Sequence, residues 1–458
     1  MNKTQYRTTT STSHLQQHPR MGELTRGTKI VLLVLAHIPL ALLLRNVRII
    51  ATLHALITFL VGAWIAFTSE DIKKVIPVVA YIAGAEVLWR MTRANVFWEF
   101  GKYATVGIFA IALLKKGRVE KAGLPVLYLL LLLPSIIYTV NAFGFARPAR
   151  NAISFNLSGP LAVMVCMVFF RQLKINISEI GSLMWWAVYP IISILALASY
   201  STLTATTIRF GTEAVFAASG GFGPNQVSAI LGLGAMFLIM LAIHEENRAT
   251  RNLALLLSMA LLVQSVLTFS RGGIANVFVA LPLAFVHLLG SPKKFMRGLF
   301  VALVIFIAAY FFFLPQLQEF TGGSLEARYT DLTMTGREDI ARADFELWLN
   351  NPIMGVGPGL SAGQRTSGPA AAAHTEYSRI LAEHGLLGLL SLLVLGLLLF
   401  RAYLNAPYAY SRAWMVAIAA WPLAHMAHSA MRVVSISFLL GLALVSWEES
   451  EDDDQTNS

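Results

Sequence analysis

The chain has 458 residues, of which 56% are hydrophobic and only 13% are charged. This composition excludes an ordinary soluble domain and is typical of a polytopic membrane protein. The net charge of +10 is spread over short loops, so membrane topology explains it better than nucleic-acid binding does. The single cysteine, Cys166, lies in an apolar run, so no intramolecular disulfide is possible.

Apolar runs of about 15 to 22 residues recur along almost the whole chain and predict transmembrane helices. The expected fold is therefore all-α, with about 12 to 14 spans. The runs lie at 30–44, 49–67, 75–89, 95–114, 123–139, 157–171, 181–200, 225–243, 252–269, 273–290, 298–314, 380–401, 412–428 and 431–447. We expect residues 1–28 to form a disordered cytoplasmic tail, 29–447 the membrane-embedded body, and 448–458 an acidic cytoplasmic tail.

Lysines and arginines are distributed differently along the chain. Apart from Lys102, which lies within a span, every lysine falls in a tail or loop that we place inside. The positive-inside rule then puts both termini in the cytoplasm and makes residues 315–379 one large extracytoplasmic helical loop. Many arginines nevertheless land outside, and guanidinium groups suit forked contact with phosphate. These outer arginines are Arg147, Arg150, Arg209, Arg271, Arg328, Arg337, Arg342, Arg365 and Arg379.

The large loop contains the longest polar interval of the chain. Thr335 and Glu338 have the spacing of a capping box, which predicts the start of a helix, and Asn351-Pro352 is expected to end it. This helix should carry one apolar face. The members of that face are Ala341, Phe345, Trp348 and Leu349.

Two arginines are candidates for holding an anion. Arg271 stands at the outer end of a span, and the two glycines after it allow a close backbone approach. Arg337 lies in the first turn of the loop helix, where free backbone N–H groups and a guanidinium together suit a phosphate or diphosphate. The alternatives are an interfacial arginine for Arg271 and a solvated surface residue for Arg337.

His374 is a candidate general base. It follows a run of small residues, 369–373, and is expected to open a short helix that ends at Gly385. The positive end of that helix dipole favours the neutral imidazole that a base requires. Glu376 is the rival base, and a capping or interfacial role for His374 stays open.

Other ionisable residues have simpler explanations. His425 and His428 are a pair without an obvious third ligand, so no metal site is expected. Glu86, Glu99 and Lys102 lie within spans. Glu99 and Lys102 can form a buried ion pair and Glu86 an interfacial carboxylate, or the three can line an ion path. The loop aspartates, Asp331, Asp339 and Asp344, are expected to be solvated.

Taken together, these motifs resemble those of the O-antigen ligase and O-antigen polymerase superfamily. Three groups of residues carry the resemblance, with the FGPNQ segment at 222–226 in support. They are Ser270 to Gly273; Arg337, Trp348, Asn351, Pro352, Gly355, Gly357 and Gly359; and His374, Tyr377, Leu381, Glu383 and Gly385 to Leu389. This chain departs from the typical ligase in two ways. Thr375 follows His374, where asparagine is common, and the largest predicted number of spans exceeds that of the typical ligase.

The resemblance implies a glycosyltransferase in the plasma (inner) membrane, with its site on the outer, periplasmic face. No metal or cofactor is expected, because the chain has no outer acidic pair with convincing metal spacing. The donor would be a polyprenyl-diphosphate-linked glycan, and the acceptor a hydroxyl of a lipid or a glycan. Besides membrane lipids, no other partner is implied, and no nucleic acid. The base would be His374 or Glu376. The residues expected at the diphosphate are Arg271, Arg337, Arg147 and Arg150.

A transporter or flippase of lipid-linked glycans is the alternative function. It would use the charges inside the membrane at Glu86, Glu99 and Lys102 and would need no base outside. The concentration of polar residues in one outer loop favours the enzyme.

Overall fold

A computed structural model describes residues 24–330, 337–365 and 371–448 of the chain. Of the described residues, 78% are helical. The helices are α1 Arg26–Asn46, α2 Arg48–Thr68, α3 Ile76–Met91, α4 Phe100–Lys116, α5 Gly123–Leu130, α6 Ile136–Phe143, α7 Arg147–Phe170, α8 Ile177–Thr204, α9 Pro224–His244, α10 Arg248–Leu267, α11 Arg271–His287, α12 Pro292–Ile307, α13 Leu314–Phe320, α14 Ser324–Thr330, α15 Arg337–Asn350, α16 Ser361–Gln364, α17 Glu376–Asn405, α18 Ala409–His428 and α19 Val434–Leu442. The strands β1 Lys174–Ile175 and β2 Ser446–Trp447 pair in parallel.

The described residues contain nine helices that are long and apolar enough to cross a membrane. Each of them coincides with one of the apolar runs in the sequence. The prediction of an all-α polytopic membrane protein is therefore confirmed. The nine are α1, α2, α7, α8, α9, α10, α11 with the turn that follows it, α12 continued through α13, and α17.

The other five predicted spans are helical but shorter, broken or less apolar. Helices α3 and α4 have 16 and 17 residues, and α19 has 9. The run at 123–139 is divided into α5 and α6, of eight residues each, on either side of Pro134. Proline lacks the N–H that would continue the helix, and eight residues span only about 12 Å. Helix α18 has 20 residues, but Arg412, His425 and His428 reduce its hydropathy.

Helix α9 occupies the centre of the bundle. In its most apolar window 94% of the residues are buried, which agrees with a helix that is hydrophobic on all sides. It packs against α8, α10 and α11. The first turn of α9 therefore supports the first turn of α11, which begins at Arg271.

The span α12 continues into α13 through a π-helical stretch, Ala308–Phe313. Pro315 lies two residues after this stretch. In a regular α-helix it would clash with the carbonyl group one turn earlier, and the wider π turn accommodates it. The helix consequently runs on to Phe320, past the expected loop start at residue 315.

Helix α17 is interrupted at Gly385, whose φ of 61° and ψ of −140° are not helical. The positive φ expected for this glycine is confirmed, and helical structure resumes directly after it. Backbone groups near the interruption bond to the segment after α15: Leu386 N donates to Pro352 O at 2.7 Å, and Val356 N donates to Ala382 O at 2.9 Å. Main-chain hydrogen bonds thus attach the large loop to the beginning of the last long span.

Candidate active site

The turn Ser270–Gly273 is held against the first turn of α9. Ser270 Oγ donates to Asn225 Oδ1 at 2.8 Å. Ser228 Oγ donates to the carbonyl of Ser270 at 2.8 Å and accepts from the backbone N of Gly273 at 3.2 Å. Both the FGPNQ segment and the SRGG turn therefore contribute to one structure, which sets the position of Arg271 at the start of α11.

The two glycines of this turn are required by close packing. A Cβ atom at Gly273 would lie 2.0 Å from the carbonyl oxygen of Ser228, and one at Gly272 would lie 2.5 Å from Cε1 of His428. His428 Nε2 is in turn 2.8 Å from Asn276 Oδ1, and Asn276 Nδ2 is 3.2 Å from His425 Nδ1. His425 and His428, for which the sequence predicted no metal site, thus belong to a hydrogen-bonded chain beside Arg271.

Three guanidinium groups from three segments converge beyond this turn. Arg328 of α14 is buried and donates to the carbonyls of Phe269 and Thr212. Arg337 is the first residue of α15 and is half-buried. Burial, followed by the charges of Arg271 and Arg328, lowers the pKa of Arg337. Like charges brought together in a partly desolvated place repel each other, and a bound anion would relieve that repulsion.

His374 lies next to this arginine cluster, but not inside a helix. The helix begins at Glu376, and Thr375 is its N-cap, with Thr375 Oγ1 accepting from Ser378 N at 3.4 Å. The expected start at His374 was therefore two residues early. Burial and then the charges of Arg337, Arg432 and Arg365 lower the pKa of His374, so its imidazole is neutral at pH 7. A neutral imidazole can accept a proton.

The short segment that ends at His374 is held on both sides. Arg365 Nη1 donates to the carbonyl of Ala371 at 2.5 Å, and Arg432 Nη2 donates to the carbonyl of Ala373 at 3.4 Å. Arg365 also forms a buried ion pair with Asp344 of α15, with Nε 2.8 Å from Oδ1. The backbone before His374 is thereby connected to α15 and to the turn after α18.

The prediction that Asp344 is solvated is wrong. Its side chain is completely buried, and its second oxygen accepts from Ser378 Oγ at 2.8 Å. Asp339, by contrast, is exposed as expected. Asp331 and the predicted cap Thr335 lie outside the described residues.

Glu376, the rival base, is completely buried beneath the cluster. It forms an ion pair with Arg379, and its Oε2 accepts from Arg379 Nε and from the backbone N of Met431, both at 3.0 Å. Arg379 also pairs with Glu383 at 2.6 Å. Carboxylate oxygens occupied in this way are stabilised as acceptors within the protein, which suits Glu376 for anchoring α17 more than for removing a proton from a substrate.

Neither Arg147 nor Arg150 is among the charges that lower the pKa of Arg337 or of His374. Both are exposed in the first turns of α7, although the same helix reaches the site farther along, where Arg432 lies 5.0 Å over the ring of Phe155. In the described part of the chain, no hydrogen bond or ion pair joins Arg147 or Arg150 to His374. In the described residues, charge interactions thus connect Arg337 with both Arg271 and His374.

The charged residues inside the bundle form ion pairs and hydrogen bonds with neighbouring helices and turns. Glu86 is buried, although the sequence suggested an interfacial carboxylate, and it pairs with Arg90 at 2.9 Å. Its other oxygen accepts from Val434 N at 2.6 Å. Arg90 also donates to Gln226 Oε1 at 2.7 Å. Lys102 donates to Ser158 Oγ at 3.2 Å, where a pair with Glu99 was one of the alternatives.

Several site residues have no clear signal in the sequence. Arg328 is only one of many outer arginines, and nothing marks Asn276 or Arg432 as neighbours of the site. The FGPNQ segment was the best available signal, since it supplies Asn225 and Gln226. Among the residues described, no group of three or more histidine, cysteine, aspartate or glutamate side chains could hold a metal ion.

Comparison with known families finds a match for part of the chain. Residues 256–393 match the model of the O-antigen ligase family, whereas a search of the curated proteins finds no match. The matched segment begins within α10, includes the SRGG turn, Arg337 and His374, and ends within α17. The resemblance indicated by the sequence motifs is therefore confirmed, since residues 256–393 are similar to the O-antigen ligase family.

Proposed function

We propose that this membrane protein transfers a glycan from a polyprenyl-diphosphate-linked donor to an acceptor hydroxyl on the outer face of the plasma membrane. The family match supports ligase-like or polymerase-like activity in general. The convergence of Arg271, Arg328 and Arg337 beside the neutral imidazole of His374 is the observation that carries the finer proposal. It provides a cationic site for a diphosphate next to a group that can take up a proton.

The reaction would proceed by direct displacement. The acceptor oxygen attacks the anomeric carbon, and the bond from that carbon to the diphosphate oxygen breaks, so the diphosphate leaves with the electron pair. His374 takes the proton of the acceptor hydroxyl. The arginines bind the diphosphate more tightly as its negative charge increases, which lowers the barrier.

A direct assay tests this proposal. Purified protein in lipid is incubated with a lipid-diphosphate-linked glycan and with candidate lipid or glycan acceptors, and the product is detected by its shift in mobility. We expect transfer to the acceptor. Movement of the donor across sealed vesicles without any transfer would instead indicate the flippase alternative. The fixed contacts of Glu86 and Lys102 support the enzyme.

We expect transfer to need no divalent metal. Guanidinium groups can neutralise the leaving diphosphate in the way that a magnesium ion does in other enzymes. Activity should therefore persist after exhaustive chelation. Loss of activity after chelation, with recovery on addition of one specific metal, would contradict this mechanism.

We also propose that residues 29–447 form the membrane-embedded body, with the large loop outside and both termini inside, because the lysines are distributed in this way. Single cysteines placed at two exposed positions test the orientation: Ala327 in α14 and Asn405 at the end of α17. A background lacking the buried Cys166 avoids unwanted labelling. An impermeant thiol reagent applied to whole cells should label only the cysteine at 327, and labelling at 405 would contradict the orientation.

A further inference from the structure

Helix α15 has three distinct sides. Its buried side packs against α17 and consists of Ile340, Ala343, Asp344 and Leu347. A second side is polar and exposed, with Asp339, Arg342, Glu346 and Asn350. The third side, which we call the apolar flank, consists of Ala341, Phe345, Trp348 and Leu349.

The apolar flank is the predicted apolar face of this helix, yet it is not the face that packs inside the protein. Phe345 is 48% exposed and Leu349 is 60% exposed. Trp348 and Ala341 are half-buried, and the rings of Phe345 and Trp348 meet edge to face at 5.3 Å. Large apolar side chains grouped on one exposed side of a helix mark a surface that interacts with another protein or with a membrane.

The apolar flank is continuous with the surface of a candidate membrane span. Three residues after α15, Ile353 is 67% exposed, and its carbonyl accepts from Leu387 N at 3.4 Å. Beyond the interruption at Gly385, the exposed apolar residues of α17 follow. They are Leu386, Leu390, Leu393 and Leu397. Because α17 is long and apolar enough to cross the bilayer, those leucines are the side chains that lipid would cover.

We propose that the apolar flank of α15, together with Ile353, docks into the interfacial region of the lipid bilayer. An exposed apolar side next to a charged side is the pattern of a helix that lies in the membrane surface, and tryptophan favours that depth. This assignment rests on the proposed function in one respect only. Arg337 begins the same helix, so docking would hold the arginine cluster at the depth of the phosphates of a lipid-linked donor.

Site-directed fluorescence tests the proposal. In a background without Cys166, single cysteines replace Phe345 or Leu349 on the apolar flank, and Asp339 or Asn350 on the polar side as matched controls. Each variant is labelled with a small environment-sensitive fluorophore and reconstituted into phospholipid vesicles. Quenching by lipids that carry a shallow nitroxide is then compared with quenching by aqueous iodide.

Labels at 345 and 349 should be quenched several-fold more strongly by the nitroxide lipid than labels at 339 and 350, and iodide should give the opposite order. Equal lipid quenching at all four positions would overturn the proposal. Protection of 345 and 349 from both quenchers would also overturn it, since the flank would then be covered by protein. The measurement requires no substrate or turnover, so failure of glycan transfer and failure of membrane docking are observed separately.

Discussion

Replacement of His374 by alanine should reduce turnover by about a hundredfold to ten-thousandfold while leaving donor affinity largely unchanged. The imidazole is neutral because burial and three neighbouring arginines lower its pKa, and it lies beside the cationic cluster that we assign to the diphosphate. Its removal would leave the attacking hydroxyl without a proton acceptor but would not remove a diphosphate ligand. Turnover and donor binding measured on the same preparation separate the two effects.

The pH dependence of His374 has a defined sign. A base must be deprotonated, so activity should fall as the pH drops through the pKa of His374, and that pKa is lowered from 6.5. The decline of kcat/KM on the acid side should therefore be centred below pH 6.5 and should be absent from the residual activity of His374→Ala. Normal turnover of His374→Ala across the pH range would show that this residue is not the base.

Glu376→Gln serves as the comparison for His374→Ala. Glu376 is completely buried against Arg379, and removing one partner of such a pair costs about 3–5 kcal/mol. We therefore expect its loss of activity to be accompanied by a lower yield and stability of the folded protein. A Glu376→Gln protein that is stable but inactive, alongside an active His374→Ala protein, would assign the base to Glu376.

Replacement of Arg271 or Arg337 by lysine should lower kcat/KM by about tenfold to a hundredfold without loss of folding. Lysine keeps the charge but loses the forked pair of donors, and a hydrogen bond to a charged group contributes about 1.5–3 kcal/mol. Because the diphosphate becomes more negative as the glycosidic bond breaks, kcat should fall more than donor affinity does.

Arg342→Lys is the matched control, since Arg342 is exposed on the polar side of the same helix as Arg337. It should retain activity close to that of the unchanged protein. Arg147→Lys and Arg150→Lys extend the assay to the exposed pair that the sequence also suggested. Activity of Arg271→Lys and Arg337→Lys equal to that of Arg342→Lys would remove both residues from the diphosphate site.

Features with a strong local cause were predictable from the sequence. Long apolar runs become helices, Asn351-Pro352 ends α15 after Asn350, and Gly385 takes a positive φ. The broken run at 123–139 was less predictable, although Pro134 was visible, because its apolar composition alone resembles that of a complete span. Its second half, α6, meets the large loop, where Thr139 Oγ1 donates to the carbonyl of Pro358 at 2.9 Å.

Features that depend on distant partners were not predictable. An aspartate in a polar loop appears solvated until Arg365 and Ser378 are placed around it, and Asp344 is therefore misjudged from sequence. The same holds for Glu376, which lies two residues from His374 and yet faces Arg379 and the backbone of Met431. Periodicity identified the apolar flank of α15 but could not show that another side of the helix packs inward.

The main-chain bonds between residues 352–357 and 382–387 limit how this chain can vary. Such bonds join backbone groups, so they fix the register of the two stretches whatever the side chains are. Glycine is required at 355 and 385, since a Cβ atom at either would lie within about 2.6 Å of the opposing backbone. An insertion or deletion would shift one stretch along the other and move α15 relative to His374. Homologous chains that keep this site should therefore keep the length of both stretches as well as these glycines.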